Sequence, residues 1–335
     1  MAKKNVSFYL DEEDVAALEN ESLIRGVSRN EVLKSKLSGE EIENDVSDRP
    51  VILCFTSHKG GVGKTTSSAN VAAVFAQKGK KTLLIDLDGQ GSLSEYFHVY
   101  DDASEYPCIK DVMIPDLNGN TKSIKEVKVP AKYVELTSDG REIYHDIENL
   151  EIVPSDLRFD NADSELSTKV KAGSDIMLSN AIEELLKEEK YDYIILDCPP
   201  RVDLITTNAF TALDQGNSNS MVIIPVKPDG FSKRGLMSTL DAMKMVARIK
   251  HKDLCKWMLL KTAIEPRTNL AKIMDDRIRE VVPTARFFDT IITKATVVME
   301  STEFYTPLPF YASNSKSWGE YINLADEIES KNNGK

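Results

Sequence analysis

Short apolar runs recur along the sequence, each closed by glycine, proline or an acid: VILCFT at 51–56, KTLLIDLDG at 81–89, LEIVPS at 150–155, YDYIILDCPP at 191–200, MVIIPVKP at 221–228 and WMLLKT at 257–262. A run of this length without polar alternation reads as a strand buried on both faces. The stretches between the runs have helical spacing instead. In TTSSANVAAVFAQKGK, residues 65–80, Val71, Val74 and Phe75 share a face and Gly79 supplies a stop. SDIMLSNAIEELLKEE and SKRGLMSTLDAMKMVARIK read the same way. Buried strands alternating with helices predict an α/β fold, a mostly parallel sheet covered by helices on both faces. Loops leaving the carboxyl ends of such strands collect on one edge, and ligands bind there.

Two segments break the alternation. Residues 99–147 are polar, and KYVELTSDGREIYHDI within them sets an Asp-Gly turn between runs of strand character, which predicts a surface hairpin in a variable insertion. Residues 1–37 precede the first buried strand. There NVSFYL alternates, with Val6, Phe8 and Leu10 on one face and Asn5, Ser7 and Tyr9 on the other. Asp11 can cap a helix bearing Val15, Leu18 and Leu23 that stops at Gly26. Ser28 and Glu31 form a capping box for a second helix carrying Val32, Leu33 and Leu37. An acidic linker, SGEEIENDVSDRP at 38–50, joins this unit to residues 51–330.

A chain of 335 residues can bury one large core and a small extra unit. The net charge of −12 argues against a surface basic all over, so any contact with nucleic acid requires a local cluster of Lys and Arg. No apolar run reaches the roughly 18 residues of a membrane span, and the opening MAKKNVSFYL lacks the apolar core of a signal peptide. The expected location is the cytoplasm. Cys54, Cys108, Cys198 and Cys255 form no Cys-x-x-Cys pair, and buried thiols are expected rather than disulfides or a metal site.

The chemistry concentrates after the first strand, in SHKGGVGKTT at 57–66. Successive glycines, Gly60, Gly61 and Gly63, let backbone N–H groups point at phosphate oxygens, with the positive end of the next helix behind them. Lys64 would reach the outer phosphates and the Thr65 hydroxyl would bind Mg²⁺. The common spacing of such loops puts a glycine where His58 stands. Acids supply the rest: Asp86, Asp88 and Asp197 all follow apolar strands, where carboxylates can hold a metal and an attacking water. A single acid there could simply cap the following helix; three beside one phosphate loop point to catalysis.

Together the motifs KGGVGKTT, DLDGQGS, ENLEIVPS, LDCPP, TNAFTALD and IIPVKPDGFSKRGL resemble the ParA/MinD group of P-loop NTPases, most closely the ParA-type DNA-partition ATPases, over roughly residues 51–330. The resemblance implies that ATP and Mg²⁺ are bound by the loop Gly60, Gly61, Val62, Gly63, Lys64, Thr65 and Thr66. It makes Thr65, Asp86 and Asp197 the metal set, Asp88 the residue that orients water, and Lys59 a lysine that crosses an ATP-bridged homodimer to the partner's phosphates. Asn208 and the backbone of Pro225, Val226 and Lys227 would face adenine. Gly89 departs from the family, which usually has proline there, and suggests a looser switch and an altered hydrolysis rate. No cis arginine finger is named by the motifs, so slow hydrolysis stimulated by a centromere-binding protein is expected.

Residues 3–37 resemble a ribbon-helix-helix unit, which implies dimerisation and specific DNA contact through Asn5, Ser7 and Tyr9; the alternative is a dimerisation arm without a DNA role. Non-specific DNA contact in the ATP dimer would fall to late basic residues, Lys244 and Arg248 on one helix and Arg267, Lys272, Arg277 and Arg279 on another segment. The reading is a nucleoid-associated partition ATPase. Its rivals are a nucleotide-controlled transcriptional regulator and a MinD-like positioning ATPase. The second requires a basic amphipathic C-terminal helix, and WGEYINLADEIESKNNGK is mostly acidic, so no membrane binding is expected.

Overall fold

The computed structural model describes residues 49–99, 106–228, 233–265 and 267–332. The ribbon-helix-helix expectation, with Asn5, Ser7 and Tyr9, and nearly all of the acidic linker lie outside these residues. The described chain builds one eight-stranded sheet. In chain order its elements are β1 (Val51–Phe55), α1 (Lys64–Gln77), β2 (Thr82–Asp86), α2 (Ser92–Tyr96), α3 (Ile109–Met113), α4 (Ile124–Val127), β3 (Val129–Leu136) and β4 (Glu142–Val153). There follow α5 (Ala162–Lys169), α6 (Met177–Glu188), β5 (Tyr193–Asp197), α7 (Leu204–Ala212), β6 (Met221–Val226) and α8 (Lys233–Ile249). The last are β7 (Lys256–Ile264), α9 (Leu270–Val281), β8 (Phe287–Thr293), α10 (Thr296–Glu303), α11 (Leu308–Tyr311) and α12 (Lys316–Asn332).

The strand order is β3-β4-β2-β5-β1-β6-β7-β8, and only the β3–β4 pair is antiparallel. β1 therefore lies inside the sheet, hydrogen-bonded to β5 on one side and β6 on the other. Its alternate residues serve two cores. Ile52 and Cys54 face a layer containing α3 to α9, whereas Leu53 and Phe55 face α1, α2 and α12. This explains the unbroken apolar runs, since neither face of a central strand meets water. Phe75 of α1 stacks on Tyr193 of β5 at 3.7 Å between ring centroids, and both are buried. Truncating such an aromatic to alanine costs about 3–5 kcal/mol.

The insertion departs from its expected role. The Asp139-Gly140 turn does join two strands, but β4 continues into the sheet and pairs with β2, so the hairpin is its edge rather than an appendage. Before it, Ile109, Val112 and Met113 of α3 and Ile124 and Val127 of α4 are buried in the main core. At the other end, Trp318, Tyr321, Leu324, Ala325 and Ile328 turn the apolar face of α12 onto the sheet. Among the described residues, no helix is long and apolar enough to cross a membrane.

Candidate nucleotide site

β1 delivers the chain into the glycine loop at the carboxyl edge. Gly61 and Gly63 have φ of 69° and 83°, in the left-handed region that only glycine enters without penalty, and Gly63 starts α1. The loop is held from behind: the Thr262 hydroxyl of β7 donates to Val62 O at 2.7 Å and stands 3.2 Å from Val226 O. Lys64 is buried and curls back so that its Nζ lies 3.5 Å from Lys59 O, while Lys59 itself is exposed. Val62 is buried and contributes only its backbone.

The acids meet this loop from neighbouring strands. Asp86 and Asp197 are register partners across β2 and β5, and Phe55 pairs with Asp197 across β1 and β5. Both carboxylates are buried. Asp197 is pushed up to about 7, first by burial and further by the Asp88 charge, with the Thr65 hydroxyl and Lys64 opposing. Its Oδ1 is buried without a hydrogen-bond partner. Asp86 is raised too, by burial and by Asp197. Its oxygens, however, are occupied: Oδ1 accepts from Asp88 N–H at 3.0 Å, and Oδ2 accepts from Ser94 N–H at 3.0 Å and Ser94 Oγ–H at 2.7 Å. Asp86 thus fixes the loop bearing Asp88.

An orphaned, buried carboxylate oxygen beside a helix-start hydroxyl and a buried lysine is unstable unless a cation or solvent completes it. Oxygen donors of this kind suit a hard divalent ion, and Thr65 with Asp197 fits Mg²⁺.

Two expectations change. Asn208 is fully buried in α7, where its amide donates to Ser174 O and Leu204 O and accepts from Leu178 N–H. Its hydrogen-bonding capacity is spent on helix packing, so it is removed from the base-contacting set. Gly89 is not slack: a Cβ placed there would lie 2.6 Å from the backbone N and Cα of Asp160. Pro225, Val226 and Lys227 do approach the phosphate loop, lining with Ser57, His58 and Val62 a cleft of about 30 Å³.

The basic residues Lys244, Arg248, Arg267, Lys272, Arg277 and Arg279 are all exposed. Lys244 pairs with Asp241 at 3.3 Å. Arg279 donates to Ala285 O and covers the Phe287 ring at 5.1 Å, a packing role. Among residues the sequence reading did not single out, Thr262, Ser94, Arg201 and Asp160 shape the site. An arginine directly after Cys-Pro-Pro was the one available signal. Beneath the site, Cys54 and Cys198 touch, with their sulfurs 3.5 Å apart.

A phosphate loop on a central parallel strand, backed by acids at the ends of the next two, defines a P-loop nucleotide-binding protein. The AAA domain family matches residues 51–256, and the chain belongs to it. Within that family it is a homologue of the ParA/Soj partition ATPases. It is 29% identical to the sporulation initiation inhibitor protein Soj of Bacillus subtilis, over 83% of this chain and 97% of Soj. It is 27% identical to the chromosome partitioning protein ParA of Myxococcus xanthus, over 83% of this chain and 87% of ParA. Among solved structures, cobyrinic acid a,c-diamide synthase from Mycobacterium smegmatis with ADP and magnesium superposes with a TM-score of 0.64, at 22% identity, over 85% of this chain and 96% of the synthase. A structure described as a plasmid partition protein from Borrelia burgdorferi B31, bound to AMPPNP, gives 0.61 at 24% identity, over 84% of this chain and 100% of that one. These structural likenesses establish the fold.

Proposed function

We propose that the protein is a Mg²⁺-dependent ATPase that partitions DNA, its ATP-bound homodimer holding DNA without sequence preference and releasing it on hydrolysis. The observation that carries the reading is the buried, unpartnered oxygen of Asp197, whose carboxyl interacts with Thr65 and Lys64. Thr65 would ligate Mg²⁺ directly and Asp197 through water, and the ion would neutralise charge on the outer phosphate oxygens. Gly60 to Thr66 would bind phosphate through backbone N–H groups, with Lys64 as counter-charge. Asp88, half-buried and held by Asp86, would orient the attacking water. Lys59, exposed at the rim, would reach the partner's phosphates across the dimer. Arg248, Arg267, Lys272 and Arg277 would meet DNA phosphates, and the N-terminal unit would add specific DNA binding through Asn5, Ser7 and Tyr9. A centromere-binding protein would stimulate hydrolysis.

The test is an electrophoretic mobility shift of a random-sequence fragment by the full chain with AMPPNP and Mg²⁺, with ADP, and with no nucleotide. Binding that requires the triphosphate, falls steeply with salt and is lost in Lys59→Ala and Lys64→Ala supports the proposal. Lys59→Ala should still bind nucleotide, whereas Lys64→Ala should not. Binding indifferent to nucleotide in every variant overturns it.

A further inference from the structure

Three loops leave the carboxyl edge beside the phosphate loop: Asp88–Gly91 after β2, residues 154–161 after β4 and residues 198–203 after β5. The first lies along the second with no room for side chains between them. At Gly89 a Cβ would meet the Asp160 backbone at 2.6 Å, and at Gly91 it would meet Ser155 O at 2.8 Å. These are contacts with main chain, which cannot rotate away as a side-chain tip could. The second loop is in turn fastened to the third. Arg201 Nη2 donates to Asp160 O at 3.3 Å, its Nη1 lies 3.6 Å from Asp160 Oδ1, and its Nε pairs with Asp203. Asp203 is anchored by capping α7, accepting from Thr206 N–H at 3.0 Å. Arg201 thereby connects the segment that carries Asp197 to the one that seats Asp88.

From this we infer that Arg201 is a positioning residue for hydrolysis, clamping Asp160 into the notch at Gly89 and so fixing Asp88 relative to Asp197. The inference rests on the ATPase reading above. Phosphoryl transfer leaves the protein little covalent chemistry, so rate depends on placement. A misplacement of about 1 Å can cost about a hundredfold. Glycine at position 89 is therefore the residue that lets the clamp close, and the loop is tight where proline's absence suggested slackness.

The experiment measures steady-state Mg-ATP hydrolysis and fluorescent-nucleotide affinity for the full chain and for Gly89→Ala, Arg201→Ala, Arg201→Lys and the Gly89→Ala/Arg201→Ala double variant. The clamp predicts kcat lower by roughly 10- to 100-fold in both alanine variants, with nucleotide affinity within about twofold. Arg201→Lys, able to keep one of the contacts, should fall between Arg201→Ala and the parent. The double variant should be no slower than the slower single one, because both break one unit. Should Arg201→Ala lose its far-ultraviolet dichroism, Gly89→Ala and Arg201→Lys carry the same reading. A kcat unchanged in the folded variants, a loss confined to affinity, or fully additive losses overturns the clamp while leaving the ATPase reading intact. An unmodified chain that binds nucleotide but never hydrolyses it overturns both.

Discussion

Ser94 shows how much a site depends on residues that never touch its ligand. It is fully buried, its hydroxyl donates to Asp86 and accepts from Ser155 N–H at 2.9 Å, and its own N–H donates to Asp86 as well. Ser94→Ala would strand the buried Ser155 amide and leave Asp86 Oδ2 with the backbone N–H of position 94 as its one remaining donor of the two. The expected loss is about 1–3 kcal/mol, read as a lower urea midpoint at unchanged slope. The residues proposed to face the ligand are singled out in sequence because their chemistry restricts type and spacing: glycines for backbone approach, a lysine, a hydroxyl, acids at strand ends. Asn208 was misread because a buried amide and a base-binding amide look alike until its partners are known. The Gly89 notch was invisible for a related reason, since the atom that would clash belongs to Asp160, seventy-one positions along the chain.

Between elements, the opposite edge of the sheet carries its own network. Lys128, after α4, reaches Glu151 of β4 at 2.8 Å, Glu189 at 2.8 Å and the Tyr191 hydroxyl at 2.9 Å, and Lys81 before β2 adds a second contact to Glu189 at 2.9 Å. The Glu189 carboxyl is held down to about 2, first by Lys128 and then by Lys81. A depressed carboxylate stabilises the fold above its unfolded value and loses that contribution as pH falls toward the folded one. The Glu189 contribution should therefore disappear between about 4.5 and about 2. Glu189→Gln should flatten the acid limb of the stability curve in that window, as measured by denaturation at stepped pH, and should lower stability by a constant amount above it. Element by element, β1, β2, β5 and β6 could be read directly because both of their faces are buried, and β4 and β7 through the largely buried stretches at Leu150–Val153 and Met258–Leu260. β8 could not: FFDTIIT lies at a sheet edge, where Phe288 and Ile292 are buried, Asp289 is exposed and the other positions are half-buried. The short helices α3 and α4, five and four residues long, are too brief to show a period although their apolar residues lie in the core.

At the scale of the whole molecule, the family match ends at residue 256, yet the sheet continues through β7 and β8 and is covered by α12. The phosphate loop is pinned from this later region through Thr262, so residues beyond the matched stretch help set its shape. The central strands also determine where the thiols lie. Cys54 and Cys198 sit on and just after β1 and β5, wholly enclosed, and Cys108 is enclosed as well, whereas Cys255, just before β7, is partly open. The four sulfurs thus form a ready-made gauge of how the molecule comes apart. A bulky maleimide pulsed through a denaturant series should tag Cys255 first and Cys54 and Cys198 together, only when β1 separates from β5. Nucleotide, gripping the end of that pair, should delay the joint event and leave the single one where it was.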